Sequence, residues 1–194
     1  MLVLALLLAL APPPASSPAS SEQLEGVVDS APAAPETRTY VSFRVGAATS
    51  STRPQLCLEL TPFDLLGIEA CGSGGGFLHN EPGTDISHFR GKVRLAAIEV
   101  EGVQLEPWLA AGFAELQVAG DVPGFSFTDT SVGQASTAGP DVGGSVRALL
   151  PLGAGFELVG EAGVGLAFFS HARSLVIPQD PLQPQAQVNL GIGF

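Results

Sequence analysis

An eight-stranded antiparallel, up-and-down β-barrel that spans a membrane is the fold class the sequence predicts. Three observations carry it. From Tyr40 onward apolar residues recur at period two, the strand template. The runs so found are joined by connections that divide into a short class and a long class. The face that carries charge on these runs is also rich in glycine, alanine and serine, which suits the cramped interior of a small barrel.

Composition agrees. The 194 residues fit one domain, and 8 Lys+Arg stand against 19 Asp+Glu, a net charge of −11. A binder of phosphate backbones needs a basic face, so no nucleic-acid partner is expected. Apolar residues make up 45% and charged ones 14%, the wrong balance for a disordered chain. Two cysteines are too few for a disulfide framework, and no CxxC or Cys/His cluster suggests zinc. No cofactor or metal is expected.

The elements follow in order. Met1–Leu10, MLVLALLLAL, is too short for a membrane-spanning helix, which needs ~20 residues. With the small residues after it, this stretch fits a secretory signal peptide over 1–19. Residues 20–38 are rich in Pro, Ala, Ser and Glu and are expected to be a disordered linker. The barrel is expected over 39–194.

Strand one sets Val41, Phe43, Val45 and Ala47 against Ser42, Arg44 and Gly46. Strand two sets Leu56, Leu58 and Leu60 against Cys57 and Glu59, and strand three Leu66, Ile68 and Ala70 against Gly67, Glu69 and Cys71. Strand four, near Gly91 to Val100, alternates less cleanly: Val93, Leu95 and Ala97 against Lys92, Arg94 and Ala96. Strand five sets Trp108, Ala110, Gly112, Ala114 and Leu116 against Ala111, Phe113, Glu115 and Gln117. Strand six sets Val146, Ala148 and Leu150 against Ser145, Arg147 and Leu149. Strand seven sets Phe156, Leu158, Ala162, Val164, Leu166 and Phe168 against Glu157, Glu161, Gly163 and Gly165. Strand eight ends the chain, with Ala186, Val188, Leu190, Ile192 and Phe194 against Gln187, Asn189, Gly191 and Gly193.

Tight links are expected at residues 61–64, 101–105 and 152–155, and long ones at 74–90, 119–142 and 170–184, with 49–53 a short member of the long class. Short turns at one rim and long loops at the other are the pattern of a transmembrane barrel. The apolar faces would meet lipid, where a charge costs ~2–4 kcal/mol at the midplane. The opposite faces would line the lumen with an ion-pair network of Arg44, Glu59, Glu69, Arg94, Glu115, Arg147, Glu157 and Glu161. A hairpin centred on Asp64 places Cys57 opposite Cys71 and Glu59 opposite Glu69. In the oxidising compartment that the signal peptide implies, the cysteines are expected to form a disulfide.

These features together resemble the bacterial eight-stranded outer-membrane barrels, the OmpA/OmpX-like proteins: an export signal, eight alternating strands, three long loops, and a terminal Phe194 sharing a face with Val188, Leu190 and Ile192. The resemblance covers Tyr40 to Phe194. It implies integral insertion in the outer membrane, contact with outer-membrane lipid, and recognition of the Val188–Leu190–Ile192–Phe194 face by the barrel-assembly machinery. It also implies aromatic girdles, supplied in part by Tyr40, Trp108, Phe156, Phe168, Phe169 and Phe194.

The candidate chemistries are weaker. Opposed Glu59 and Glu69 suit a carboxylate dyad, but Arg44 and Arg94 on flanking strands point the same way and favour a structural network. His79, His88 and His171 fall in the expected long loops, and Asp85, Ser87 and His88 share one of them. Ser170 and His171 are adjacent, so on an extended chain they point to opposite faces and cannot pair. The expected function is therefore a small non-enzymatic, monomeric outer-membrane barrel, structural or surface-interacting, with a side-chain-filled lumen and outward loops that meet an extracellular partner. The alternatives are a barrel enzyme that modifies outer-leaflet lipid near His88 or His171, and a secreted lipocalin-like carrier. The latter needs an apolar lumen, and the Glu/Arg-lined face argues against it.

Overall fold

The computed structural model describes residues 40–73, 83–119 and 133–194. The expected signal segment (1–19) and linker (20–38) lie outside these residues, as do His79 and most of the loops after residues 73 and 119. The strands are β1 (Tyr40–Ala48), β2 (Gln55–Phe63), β3 (Leu66–Gly72), β4 (Asp85–Arg94), β5 (Ile98–Val100), β6 (Val103–Gln117), β7 (Ser136–Gly153), β8 (Phe156–Phe168) and β9 (Leu182–Gly193). A single 3-10 turn, Ala172–Ser174, stands between β8 and β9.

Every pairing between these strands is antiparallel. β1 pairs with both β2 and β9, and β4 pairs with β6, so the wall closes on itself. β5 continues β4 along β6: Arg94 faces Trp108 and Ile98 faces Leu105. Leu95–Ala97 then oppose only Glu106–Pro107, an extra residue and so a bulge. With β4 and β5 sharing one position, the molecule is a closed eight-stranded antiparallel barrel.

Local chemistry explains the hairpins. Glu101 and Gly102 have φ of 51° and 82°, and Ala154 and Gly155 have φ of 53° and 82°. Two successive positive φ values are what a two-residue turn needs to match the twist of its strands. Elsewhere glycine permits bending. A Cβ on Gly191 would stand 2.0 Å from the carbonyl oxygen of Phe43, and one on Gly46 2.0 Å from that of Val188. The β1–β9 seam approaches this closely because neither position has a side chain.

The outside is apolar. Phe43, Val45, Leu58, Leu60, Val146 and Leu190 are all exposed, and Val164 and Val188 reach 68% and 65% exposure. The inside is polar: Arg44, Glu59, Glu69, Arg90, Lys92, Arg147 and Glu161 are all buried. This inverts the distribution of a water-soluble domain, in which charged residues are almost never fully buried. At the loop end the interior changes character. Ile86, Ala114, Leu116, Val118, Ala167, Phe169, Ala172 and Leu175 form an apolar plug.

Four expectations need correction. Strand four begins at Asp85, not near Gly91, because polar Asp85, Ser87 and His88 disguise its first half and the bulge breaks its second. Strand six runs over 136–153, well beyond the expected 145–150, because Pro140, Gly143 and Gly144 interrupt the apolar alternation. In β6 the expected faces are reversed: Trp108, Ala114 and Leu116 are buried inside, whereas Leu109 and Phe113 are exposed. Alanine and glycine occupy both faces there, so the pairing across to Lys92 and Arg147 orients the strand rather than its own pattern. Finally, Trp108 and Phe169 are interior and Tyr40 is half-buried, so they supply no girdle. Among the described residues, Phe89 and Phe113 pair on the exterior with centroids 5.6 Å apart, and Phe156 and Phe194 at 6.0 Å.

Candidate functional site

The chemistry of the molecule is concentrated in the lumen. The β2–β3 hairpin puts Glu59 opposite Glu69 and Cys57 opposite Cys71. Two like charges directly opposite each other repel, and three cations from other strands resolve the repulsion. Arg44 of β1 donates to Glu59 at 2.8 Å, to Glu69 at 2.6 Å, and to Glu161 of β8. Lys92 of β4 donates to Glu59 at 2.9 Å and to Glu69 and Glu161 at 3.0 Å each. Arg147 of β7 donates to Glu59 and lies 3.6 Å from Glu161, its direct cross-strand neighbour. Three cations and three carboxylates thus share one cross-section, each nearly or fully removed from solvent.

Smaller pairs flank this centre. Toward the turn end, Glu106 accepts from Arg94 and Gln104 at 2.7 Å and from the Trp108 indole at 3.2 Å. The Arg147 guanidinium lies over the Trp108 ring, 4.5 Å from its centroid. Toward the loop end, Arg90 makes a two-pronged pair with Asp141, one prong at 3.0 Å. His88 Nε2 meets Glu69 at 3.3 Å. A buried charge without a partner costs several kcal/mol, and these assignments leave each of the five cations with one. These five cations are matched by five carboxylates, so the ion-paired lumen carries no net charge.

Of the eight charged residues expected to line the lumen, Arg44, Glu59, Glu69, Arg94, Arg147 and Glu161 meet there. Glu115 does not: its neighbours Ala114 and Leu116 point inward, so it stands on the opposite face of β6. Glu157 lies half-buried at the turn end, apart from the cluster. Lys92, Arg90, Glu106 and Asp141 were not anticipated. Lys92 had the right parity; Arg90 and Asp141 fell in expected loops, and Glu106 lay between the expected turn 101–105 and the strand beginning at Trp108.

The cysteines form the Cys57–Cys71 disulfide, with their Cα atoms 4.1 Å apart. Gln55 donates to Gln187 at 3.0 Å beside it. The buried side-chain amide of Asn189 makes no hydrogen bond to a described protein group. Val188, Leu190, Ile192 and Phe194 share the outward face of β9 and its end.

Among the described residues, two groupings look like metal ligands. Glu59, Glu69 and Glu161 converge, but the Lys92 ammonium already sits among them. Glu69, Cys71 and His88 also converge, yet the Cys71 sulfur is consumed in the disulfide and offers no thiolate. Neither donor set fits an ion.

The histidines fall differently from expectation. His88 is buried in β4 and points inward, whereas Asp85 and Ser87 take the other parity and Asp85 accepts from Ser73 at 2.5 Å. Ser170 Oγ and His171 Nδ1 meet at 3.2 Å, because the chain turns into the 3-10 helix there instead of staying extended.

No protein-family model and no curated protein sequence matches the chain. Several solved structures are similar to it. One is the N-terminal β-barrel domain of Pseudomonas aeruginosa OprF, at 10% identity and TM-score 0.47, covering 80% of this chain and 96% of that one. Another is a major outer membrane protein from Thermus thermophilus, at 14% identity and TM-score 0.48, covering 80% and 97%. A third is Neisserial surface protein A, at 10% identity and TM-score 0.48, covering 80% and 95%.

Proposed function

We propose that the protein is a non-enzymatic, non-conducting β-barrel of the bacterial outer membrane, with a structural or surface-interaction role. The observation that carries this is the pairing of an apolar exterior with an interior whose charges neutralise one another. Water covers such an exterior poorly and lipid covers it well. A closed wall also leaves no strand edge for a second copy, which favours a monomer. The ion-paired centre and the apolar plug fill the lumen, as in other barrels of ~8 strands, and leave no route for solute. By the family resemblance, the Val188–Phe194 face is where the assembly machinery engages the chain and the long loops are where an extracellular partner would bind.

Reconstitution into planar bilayers tests the proposal. The expected result is no current above that of the bare bilayer. Stable ohmic steps of porin size would overturn it.

The Ser170–His171 contact favours a second reading, hydrolysis of outer-leaflet lipid esters at the loop end. Against it, the hydrogen bonds of His171 among the described residues include none to a carboxylate that would orient the ring. Vesicles incubated with purified protein are expected to keep their acyl profile. Release of fatty acid by the wild type and not by Ser170→Ala would favour the enzyme.

A further inference from the structure

The disulfide occupies a sealed position. Cys57 is 0% and Cys71 5% exposed. Both point into the lumen at the level of Arg44 and His88, their cross-strand neighbours. Toward the turn end, Arg44, Lys92 and Arg147 with Glu59, Glu69 and Glu161 block access. Toward the loop end the next inward layers are Ala114, Ile86 and Leu116 of the apolar plug, with Phe169 and Leu175 behind them. Sideways the wall is closed.

We infer that Cys57 and Cys71 are oxidised before the barrel closes, by a disulfide-type oxidant that acts on the open chain. The chemistry requires access. One cysteine thiolate attacks a sulfur of the oxidant's disulfide, forming a mixed disulfide and expelling one thiol. The other cysteine then attacks the protein sulfur and expels the second thiol. Two electrons and two protons end on the oxidant, which leaves as a dithiol or as two thiols. The mixed disulfide places a foreign group on Cys57 or Cys71, and the burial of both side chains in the closed barrel denies an oxidant that approach.

Topology allows this order. Both cysteines lie in the local β2–β3 hairpin, whereas closure joins the first strand to the last. The oxidised hairpin is therefore a finished part before β1 meets β9. The inference rests on the closed barrel alone and stands whatever the protein does in its membrane.

The test compares reaction rates of the whole chain in two states. Oxidised protein folded into dilauroylphosphatidylcholine vesicles is treated with dithiothreitol, beside the same protein unfolded in urea. Reduced protein, folded likewise, is treated with oxidised glutathione. The folded barrel is expected to react at least ~100-fold more slowly in each direction, because exchange must wait for opening of the wall. Rates within tenfold of the unfolded chain would overturn the inference. If the reduced chain does not fold, the dithiothreitol comparison decides alone.

Discussion

Val41 and Phe194 exchange backbone hydrogen bonds, Val41 N–H to the Phe194 carbonyl at 2.9 Å and Phe194 N–H to the Val41 carbonyl at 3.0 Å. The last residue of the chain is thus a rung of the closing seam, and its ring lies against Phe156 on the outside. Deleting Phe194 removes both bonds and the ring contact, and Phe194→Asp places a charge on the apolar face. Both variants are expected to fall several-fold in the outer-membrane fraction while crossing the inner membrane normally. Fractionation followed by gels of unheated and boiled samples measures this. Normal membrane levels of the deletion would remove the chief support for the assembly reading.

Lys92 carries the neutrality of the lumen centre. Lys92→Met leaves three buried carboxylates against two cations, and is expected to cost about 3–5 kcal/mol, the usual loss when one partner of a buried pair is removed. Adding Glu161→Gln restores equal numbers and should recover part of the loss. Urea midpoints in lipid vesicles report both. A double variant no more stable than Lys92→Met would sink the charge-balance argument.

Gly191→Ala drives a methyl group into the Phe43 carbonyl, at 2.0 Å, and the Arg44 backbone, at 2.6 Å from its Cα. Folding yield should collapse, since backbone cannot yield there as a flexible side chain could. Gly160→Ala is the control, because a Cβ there meets nothing within 4 Å. It should shift the midpoint by less than ~0.5 kcal/mol, as ordinary surface changes do. Equal tolerance at the two sites would mean that the seam is looser than described.

Removing both cysteines, Cys57→Ala with Cys71→Ala, releases a loop of 14 residues' separation. A bridge of that span contributes about 3 kcal/mol at most through the unfolded chain. The variant should still fold and still shift on heating, but with an earlier urea midpoint. Because it has no thiol, added reductant should change nothing further. A midpoint equal to that of the oxidised wild type would show that the bridge does not stabilise the barrel.

How much of this was legible in the sequence depends on what each segment had to say. Centring the hairpins on Asp64 and Ala154 pairs Cys57 with Cys71, Glu59 with Glu69, and Arg147 with Glu161, as found; at the turns themselves a bulge between Leu60 and Phe63, and another between Pro151 and Gly153, shifts the register by one residue. The apolar faces of β1, β2, β8 and β9 were legible because outward-facing positions there hold large residues and the others do not. In β6 the signal failed. Its alanines and glycines fit either side, and Glu115 pointed to the wrong face. Arg90, Glu106 and Asp141 were missed because a charge near a turn or proline looks solvated. Only strands that extend further than the apolar pattern bring these residues inside.

The six central charges come one each from β1, β2, β3, β4, β7 and β8. They are scattered through the gene yet meet in one plane. Any single substitution that removes one of these charges strands a partner out of water. Evolution can therefore keep the set or exchange members in compensated pairs, while the outward valines and leucines drift freely among themselves. Six positions far apart along the chain are inherited as one character.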